Sequence, residues 1–364
     1  MPFPSRRAAL RALLRAEHSD LDALLLTDLV NIRYLTGFTG SQAALLLHVD
    51  GDEASSFGTD GRYRTQAGQQ VGGLPILVER ASARALVEQA GIRGLRAVGF
   101  ESDTVTVDAH VGLQQAAPDL TLVRAPGQAQ RLRTVKDDTE LAALGAACGA
   151  GDAALADLLA AGGLRPGRTE REVADDLEAR MRAHGASGPA FATIVAAGPH
   201  SALPHHRPTD TPLRRGDLVT MDFGALVDGY HSDMTRTVVL GPAAGWQREL
   251  YALVEAAQAA GREALVAGAR AADVDAAARA VVDAAGRGAE FVHPLGHGVG
   301  LQIHEAPLLA AGTETALAAG MVITVEPGVY LEGRGGVRIE DTLLVRAGAP
   351  RALTGSTREL LEVG

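Results

Sequence analysis

Five side chains carry the chemistry this chain could do: Asp222, Asp233, Glu326, Glu340 and His297. The first two lie in LVTMDFGALVDGYHSDMTRTVVL (Leu218–Leu240), where two β-branched apolar runs flank Asp228-Gly229. That pattern predicts a hairpin. With a two-residue loop, Asp222 and Asp233 are either directly opposite or one pleat out of step. In both registers they share a face, because side chains alternate with period two. Two carboxylates 4 Å apart at an effective dielectric near 20 repel by about 4 kcal/mol, so a cation or a proton must stand between them. A second pair follows: Met321–Leu331 and Val337–Val345, around a turn at Gly333-Arg334-Gly335-Gly336, carry Glu326 and Glu340. His297 lies in GHGVG, where Gly296, Gly298 and Gly300 allow close backbone approach and leave the imidazole unshielded. Four carboxylates and one imidazole suit two divalent metal ions, whose charge neutralises the acids. The donors are oxygen-rich and sulfur-free, which favours manganese, with cobalt, iron or zinc as competitors. Paired ions lower the pKa of a shared water, polarise a carbonyl and stabilise a tetrahedral oxyanion, so the chemistry is metal-assisted hydrolysis.

Two domains are expected to position these residues. The chain has 364 residues, 46% of them hydrophobic, enough for two cores. Residues 1–130 read as an α/β layer. An amphipathic N-terminal helix, broken by Arg11 and Arg15 and so unlike a signal peptide, leads into strands at Asp22–Thr27 and Ala43–Val49. Asn31–Ser41 reads as a glycine-punctuated connection, and strands and helices alternate beyond it to Leu120–Val123. Residues 131–364 change character to α+β. Thr139–Leu159 is a long helix, and Thr169 with Glu172 forms a capping box for a helix reaching Ala183. Two helices then precede the first acid-bearing hairpin, and two more, Gly245–Val266 and Ala272–Ala285, precede the second. The second domain is thus expected to be two similar halves facing one centre.

Composition narrows the partners. The net charge is −10 and no Lys/Arg block interrupts it, which argues against nucleic acid. No window of 18 apolar residues lacks a charge, so no membrane span is expected. The single cysteine, Cys148, excludes an internal disulfide and a thiol-rich metal site, and points to a reducing, cytoplasmic location.

MDFGA, HSDMTRT, GHGVGLQIHEAP, VEPGVY and RIEDT, with NIRYLTGFTGS and TDGRY upstream, occur in an order that resembles the pita-bread metallopeptidases. Within them the chain is similar to the Xaa-Pro peptidases, prolidase and aminopeptidase P. The resemblance spans the whole chain and implies a creatinase-like α/β domain before a pita-bread catalytic domain. It implies that Asp222 chelates one ion, that Asp233 and Glu340 bridge the pair, and that His297 and Glu326 complete the other shell. Glu326 would also carry a proton from the attacking water to the leaving nitrogen. His205 matches a catalytic histidine, although the neighbouring His206 stands where glycine is expected. His293 and His304 match positions that bind the scissile carbonyl and line the proline pocket, and Tyr330 and Arg338 match positions near the bridging glutamate. Small peptides with proline second, and a homodimer, are implied in the same way. An Xaa-Pro bond has no N–H, so a site that shapes itself to the pyrrolidine ring and activates water by metal suits it.

Other readings are weaker. His200 reads as an exposed loop residue, and His231 as surface or as leaning on the site. Arg338 could be only a strand arginine paired with a neighbouring acid. Arg62 and Arg64 read as structural or solvated, although either could bind a substrate's terminal carboxylate through its forked guanidinium. DFG at Asp222 also occurs in protein kinases, but no H-R-D loop or glycine-rich V-A-I-K segment accompanies it. A creatinase-like amidinohydrolase would lack the ligand set. Methionine aminopeptidase lacks so large an N-terminal domain. An inactive binding protein would not need the ligands and His205 intact.

Overall fold

A computed structural model describes residues 2–364. The chain divides into two compact units, one ending at Arg133 and one running from Thr134 to Gly364.

The first unit is built on a six-stranded mixed sheet. Across it lie Ile76–Val78, Ser56–Thr59, Ala43–His48, Ala23–Leu26, Ala97–Phe100 and Thr121–Arg124. The Ala23–Leu26 strand is buried at every position, as its unbroken apolar run requires of a central strand. Two expectations need correction here. The N-terminal helix, Phe3–Glu17, buries Arg6, Arg7 and Arg11 beside Leu10 and Leu14. Arg7 and Arg11 reach Asp52 at 2.6 and 2.5 Å, so the inward face is partly an ionic cluster. Asn31–Ser41 is not a plain connection, because Leu29–Thr36 is a helix capped by Asp28 and ended by Gly37 at φ 80°. Its buried face includes Asn31, whose amide donates to Glu101 at 2.7 Å, and a polar residue there hides the apolar period.

The second unit repeats one plan. Asp138–Ala160 and Glu170–Ala183 precede a four-stranded sheet containing Ile194–Ala197, Leu218–Phe223 and Met234–Leu240. Gly245–Ala264 and Ala271–Ala284 precede a five-stranded sheet containing Gly296–Gly298, Glu305–Leu309, Val322–Val325 and Asp341–Leu344. Thr169 and Glu172 form the predicted capping box, and Asp137 and Glu140 form another on the long helix.

Hydrogen bonds repeat with the plan. Glu170 N–H and Arg171 N–H donate to Thr211 and Thr209, and Ala271 N–H and Ala272 N–H donate to Thr315 and Thr313. There are two apolar cores, one around Leu177, Met221 and Phe223, the other around Val254, Val274 and Ile323, the latter taking in Leu218 and Val239 from the first half's sheet. The Asp138–Ala160 helix is long and apolar enough to cross a membrane by length and composition alone. Its Ala150, Ala154, Leu155 and Leu158 belong to the first of these cores.

Candidate metal centre

Both acid-bearing ribbons bend at their acids. In the first, Asp222 pairs with Thr235, Leu226 with His231, and Asp228 and Gly229 form the loop at φ 48° and 78°. Asp222 and Asp233 are therefore one pleat out of step, the second of the two registers expected. Between them the ribbon passes from one sheet to another at Gly224. A Cβ there would lie 1.8 Å from the Ser232 carbonyl oxygen, so only glycine allows the crossing.

The second ribbon was expected as two continuous strands, and each is instead broken. Val322–Val325 pairs with Asp341–Leu344, and Gly328–Leu331 with Gly335–Arg338. Glu326 and Glu340 occupy matching positions at the break, where Pro327 has no N–H to continue the ladder. His297 comes from the short strand Gly296–Gly298 beside Val322–Val325. A Cβ on Gly296 would lie 1.9 Å from the Thr324 carbonyl oxygen, which accounts for the glycine before the imidazole.

These bends bring the five side chains together. His297 Nε2 lies 3.5 Å from Asp233 Oδ2 and 3.4 Å from Glu326 Oε1. Asp233, His297 and Glu340 each present a donor atom within 4.8 Å of the others. His297 Nδ1–H donates to the Gly298 carbonyl at 3.0 Å, which leaves Nε2 as a lone-pair donor. Burial pushes the His297 imidazole down to about 4, so it is neutral at pH 7. Burial, then repulsion from Glu340, Asp222 and Glu326, drives the Asp233 carboxyl far above its usual range. Burial and its acidic neighbours do the same to Glu340, and burial foremost pushes Glu326 up to about 8. Burial raises Asp222 as well, against the opposing pull of Arg338.

Thr235 Oγ1 donates to Glu340 Oε2 at 2.7 Å, and Thr324 Oγ1 to Glu326 Oε1 at 3.2 Å. Asp222 Oδ1 and Glu340 Oε1 are buried with no hydrogen-bond partner among the described residues. Buried carboxylate oxygens without donors are costly unless a cation takes that place. The donor set fits a dinuclear metal centre, with Asp222, Asp233, His297, Glu326 and Glu340 able to hold it.

Around the acids runs a network centred on Arg338. Its guanidinium donates to Asp222 Oδ2 at 2.7 Å, Thr235 Oγ1 at 3.0 Å, the Tyr330 hydroxyl at 2.9 Å and the Pro204 carbonyl at 3.3 Å. It is thus more than a strand arginine with one acidic partner. Tyr330 in turn donates to His293 Nε2 at 2.9 Å, while His293 Nδ1–H donates to the Pro294 carbonyl. Burial pushes His293 down to about 4.

A cavity of about 440 Å³ is lined by nine of the ten residues singled out from sequence. Tyr330 is the tenth, and it stands behind His293 and Arg338. His205 and His304 are exposed on the cavity wall, and the His304 ring meets His297 edge-on at 4.4 Å between centroids.

Some neighbours were not anticipated. His200 is not a free loop residue: it and the buried His206 both bond the fully buried Glu170, each at 2.8 Å. Their rings stack at 4.3 Å. His231 leans on the site's frame, its backbone N–H donating to the Gly300 carbonyl at 2.8 Å. Glu305, on the cavity wall, pairs with buried Lys136 at 3.1 Å. Thr235 and Thr324 support the ligands, and the β-branched threonines of HSDMTRT and VITVEP were the only signal for them. In the first unit, Arg62 is committed to Asp60 at 2.7 Å.

Known proteins match this chain in sequence and in fold. Residues 142–347 match the model of metallopeptidase family M24, and residues 6–135 match the creatinase/prolidase N-terminal domain. The chain is 36% identical to an Xaa-Pro dipeptidase of Pyrococcus furiosus, over 95% of this chain and 97% of that one. It superposes on the structure of an Xaa-Pro dipeptidase from Bacillus anthracis with a TM-score of 0.93 and 36% identity, over 99% of this chain and 100% of that one. An X-Pro aminopeptidase structure from Thermotoga maritima superposes with a TM-score of 0.87 and 31% identity, over 94% of this chain and 98% of that one. Paired acids at two ribbon bends, one neutral imidazole and a match through both units lead to the same conclusion: the chain belongs to metallopeptidase family M24.

Proposed function

We propose that the protein is a manganese-dependent Xaa-Pro dipeptidase. The observation that carries this is the set of four buried, mutually repelling carboxylates and one neutral imidazole on the wall of a single cavity. The proline preference rests on the similar proteins' being Xaa-Pro peptidases and on the resemblance of the site motifs to that family. Asp222, Asp233, His297, Glu326 and Glu340 would hold the two ions, Asp222 on one, His297 and Glu326 on the other, and Asp233 and Glu340 shared between them, as the family resemblance implies. The ions supply Lewis acidity to the water and the scissile carbonyl. Glu326 takes the proton of the attacking water and delivers it to the imino nitrogen, which cannot leave without one. His205 and His304 face the reacting carbonyl, and His293, held by Tyr330, lines the proline pocket. Arg338 fixes the orientation of Asp222 and, through Thr235, of Glu340.

The lone buried Cys148 supports a cytoplasmic location, and family resemblance supports a homodimer. The test is hydrolysis of Ala-Pro against Ala-Ala after manganese loading, by the wild type and Glu326→Gln. The wild type is expected to cleave Ala-Pro at least about 100-fold faster, and the variant to lose about 10³-fold in kcat while melting normally. A fully active Glu326→Gln enzyme removes Glu326 from the mechanism, and equal cleavage of both peptides removes the proline preference.

A further inference from the structure

The loop that carries His205 also carries a second group into the cavity. His205 and Arg207 both line it and are exposed, while His206 between them is buried. His206 turns inward because Glu170 holds it, and Glu170 also accepts from the Thr209 N–H at 3.0 Å and the Thr209 hydroxyl at 2.7 Å. The segment is therefore fastened on both sides of Arg207.

Every other charged group on the cavity wall has a partner. Asp222 has Arg338, Glu305 has Lys136, Glu326 has Thr324, Glu340 has Thr235, and Asp233 faces His297. Arg207 is the one charged wall residue with neither hydrogen bond nor ion pair among the described residues. A free guanidinium on a fastened loop suits an anion with two coplanar oxygens.

We infer that Arg207 binds the terminal carboxylate of the dipeptide and sets the enzyme's preference for dipeptides over longer chains. The inference rests on the Xaa-Pro reading above. In an Xaa-Pro dipeptide the carboxylate is attached to the carbon next to the scissile nitrogen, so its charge must lie in the same cavity as the reacting bond. In a longer peptide that position holds a neutral amide, which leaves the guanidinium without its counter-charge. Arg207 is thus a specificity-determining residue, touching substrate and not the reacting atoms.

The test compares Ala-Pro with its C-terminal carboxamide and with Ala-Pro-Ala, using manganese-loaded wild type, Arg207→Ala and Arg207→Lys. The wild type is expected to favour Ala-Pro. In Arg207→Ala the ratio of kcat/KM for Ala-Pro to that for the carboxamide falls about 10- to 100-fold, mostly through a higher KM for Ala-Pro. Arg207→Lys recovers part of the ratio, since it keeps the charge but not the fork. A ratio unchanged in Arg207→Ala, or a loss that falls mainly on kcat for all three substrates, overturns the assignment of Arg207 and leaves the peptidase reading standing. A wild type that cleaves none of the three overturns the Xaa-Pro reading, and the role of Arg207 with it.

Discussion

Glu170→Gln, a change of one atom outside the metal centre, should cost this protein a measurable share of its stability. The carboxylate is fully buried and accepts five hydrogen bonds, from the Ala197 N–H, His200, His206, and the N–H and hydroxyl of Thr209. An amide presents one acceptor oxygen and one NH2. With the oxygen turned toward His206 and Thr209, the NH2 faces the Ala197 N–H and leaves it without a partner. An orphaned buried donor costs about 1–3 kcal/mol, and the bonds that survive lose their charge assistance. The loss comes to about 3 kcal/mol, or about 6 to 12 °C in Tm for a unit of this size.

The pH dependence has a definite sign. Burial pushes the Glu170 carboxyl up, but the Ala197, His206, His200 and Thr209 donors outweigh it and hold it below its usual value. A depressed carboxyl contributes stability above its unfolded pKa and loses it as pH falls through the folded one. The gap between wild type and variant is therefore full at pH 7 and closes below about pH 4. The assay is calorimetric melting of both proteins, manganese-loaded, between pH 3.5 and 8. A Tm within about 2 °C of wild type at pH 7 would falsify the claim that this cluster fastens the loop.

Two further outcomes follow from the acid pairs themselves. Carboxyls raised in the folded state stabilise it below their unfolded pKa and lose that contribution as pH rises through the folded value, about 8 for Glu326. Chelator-treated protein should therefore melt at progressively lower temperature from pH 5 to 8.5, while manganese-loaded protein should not; parallel curves would mean that burial and crowding do not raise these carboxyls. Thr235→Val removes the 2.7 Å bond to Glu340 and the acceptor of Arg338 Nε. It should weaken manganese binding about 10- to 100-fold in a chelator-dye competition, and an unchanged affinity counts against Thr235 as the support of that ligand.

What could be read from letters alone was local and periodic. Asp228-Gly229 between β-branched runs placed Asp222 and Asp233 on one face, and Thr169 with Glu172 placed a helix start, because both signals act within a few residues. Two helices before each acid-bearing hairpin suggested two halves with a shared centre. The bends at Gly224 and Pro327 were not legible, because each depends on which sheet the ribbon joins next. The Glu170 cluster was hidden for a related reason: its partners lie 27 to 39 residues away, and each of those histidines looks like a solvated loop residue by itself. The helix at Leu29–Thr36 was missed because its inward face spends two positions on Asn31 and Thr36.

Where the two halves meet, four acids gather, and the buried Arg338 and Arg236 reach across to Asp222 and Asp341. Joining the halves is what forces the acids into one another's company. Capture of cations would then act as a latch drawn across a joint that pushes itself apart. Amide protons beside the seam, at Thr235 and Glu340, should exchange with solvent faster in chelator than those deep in either interior, and metal should slow them first.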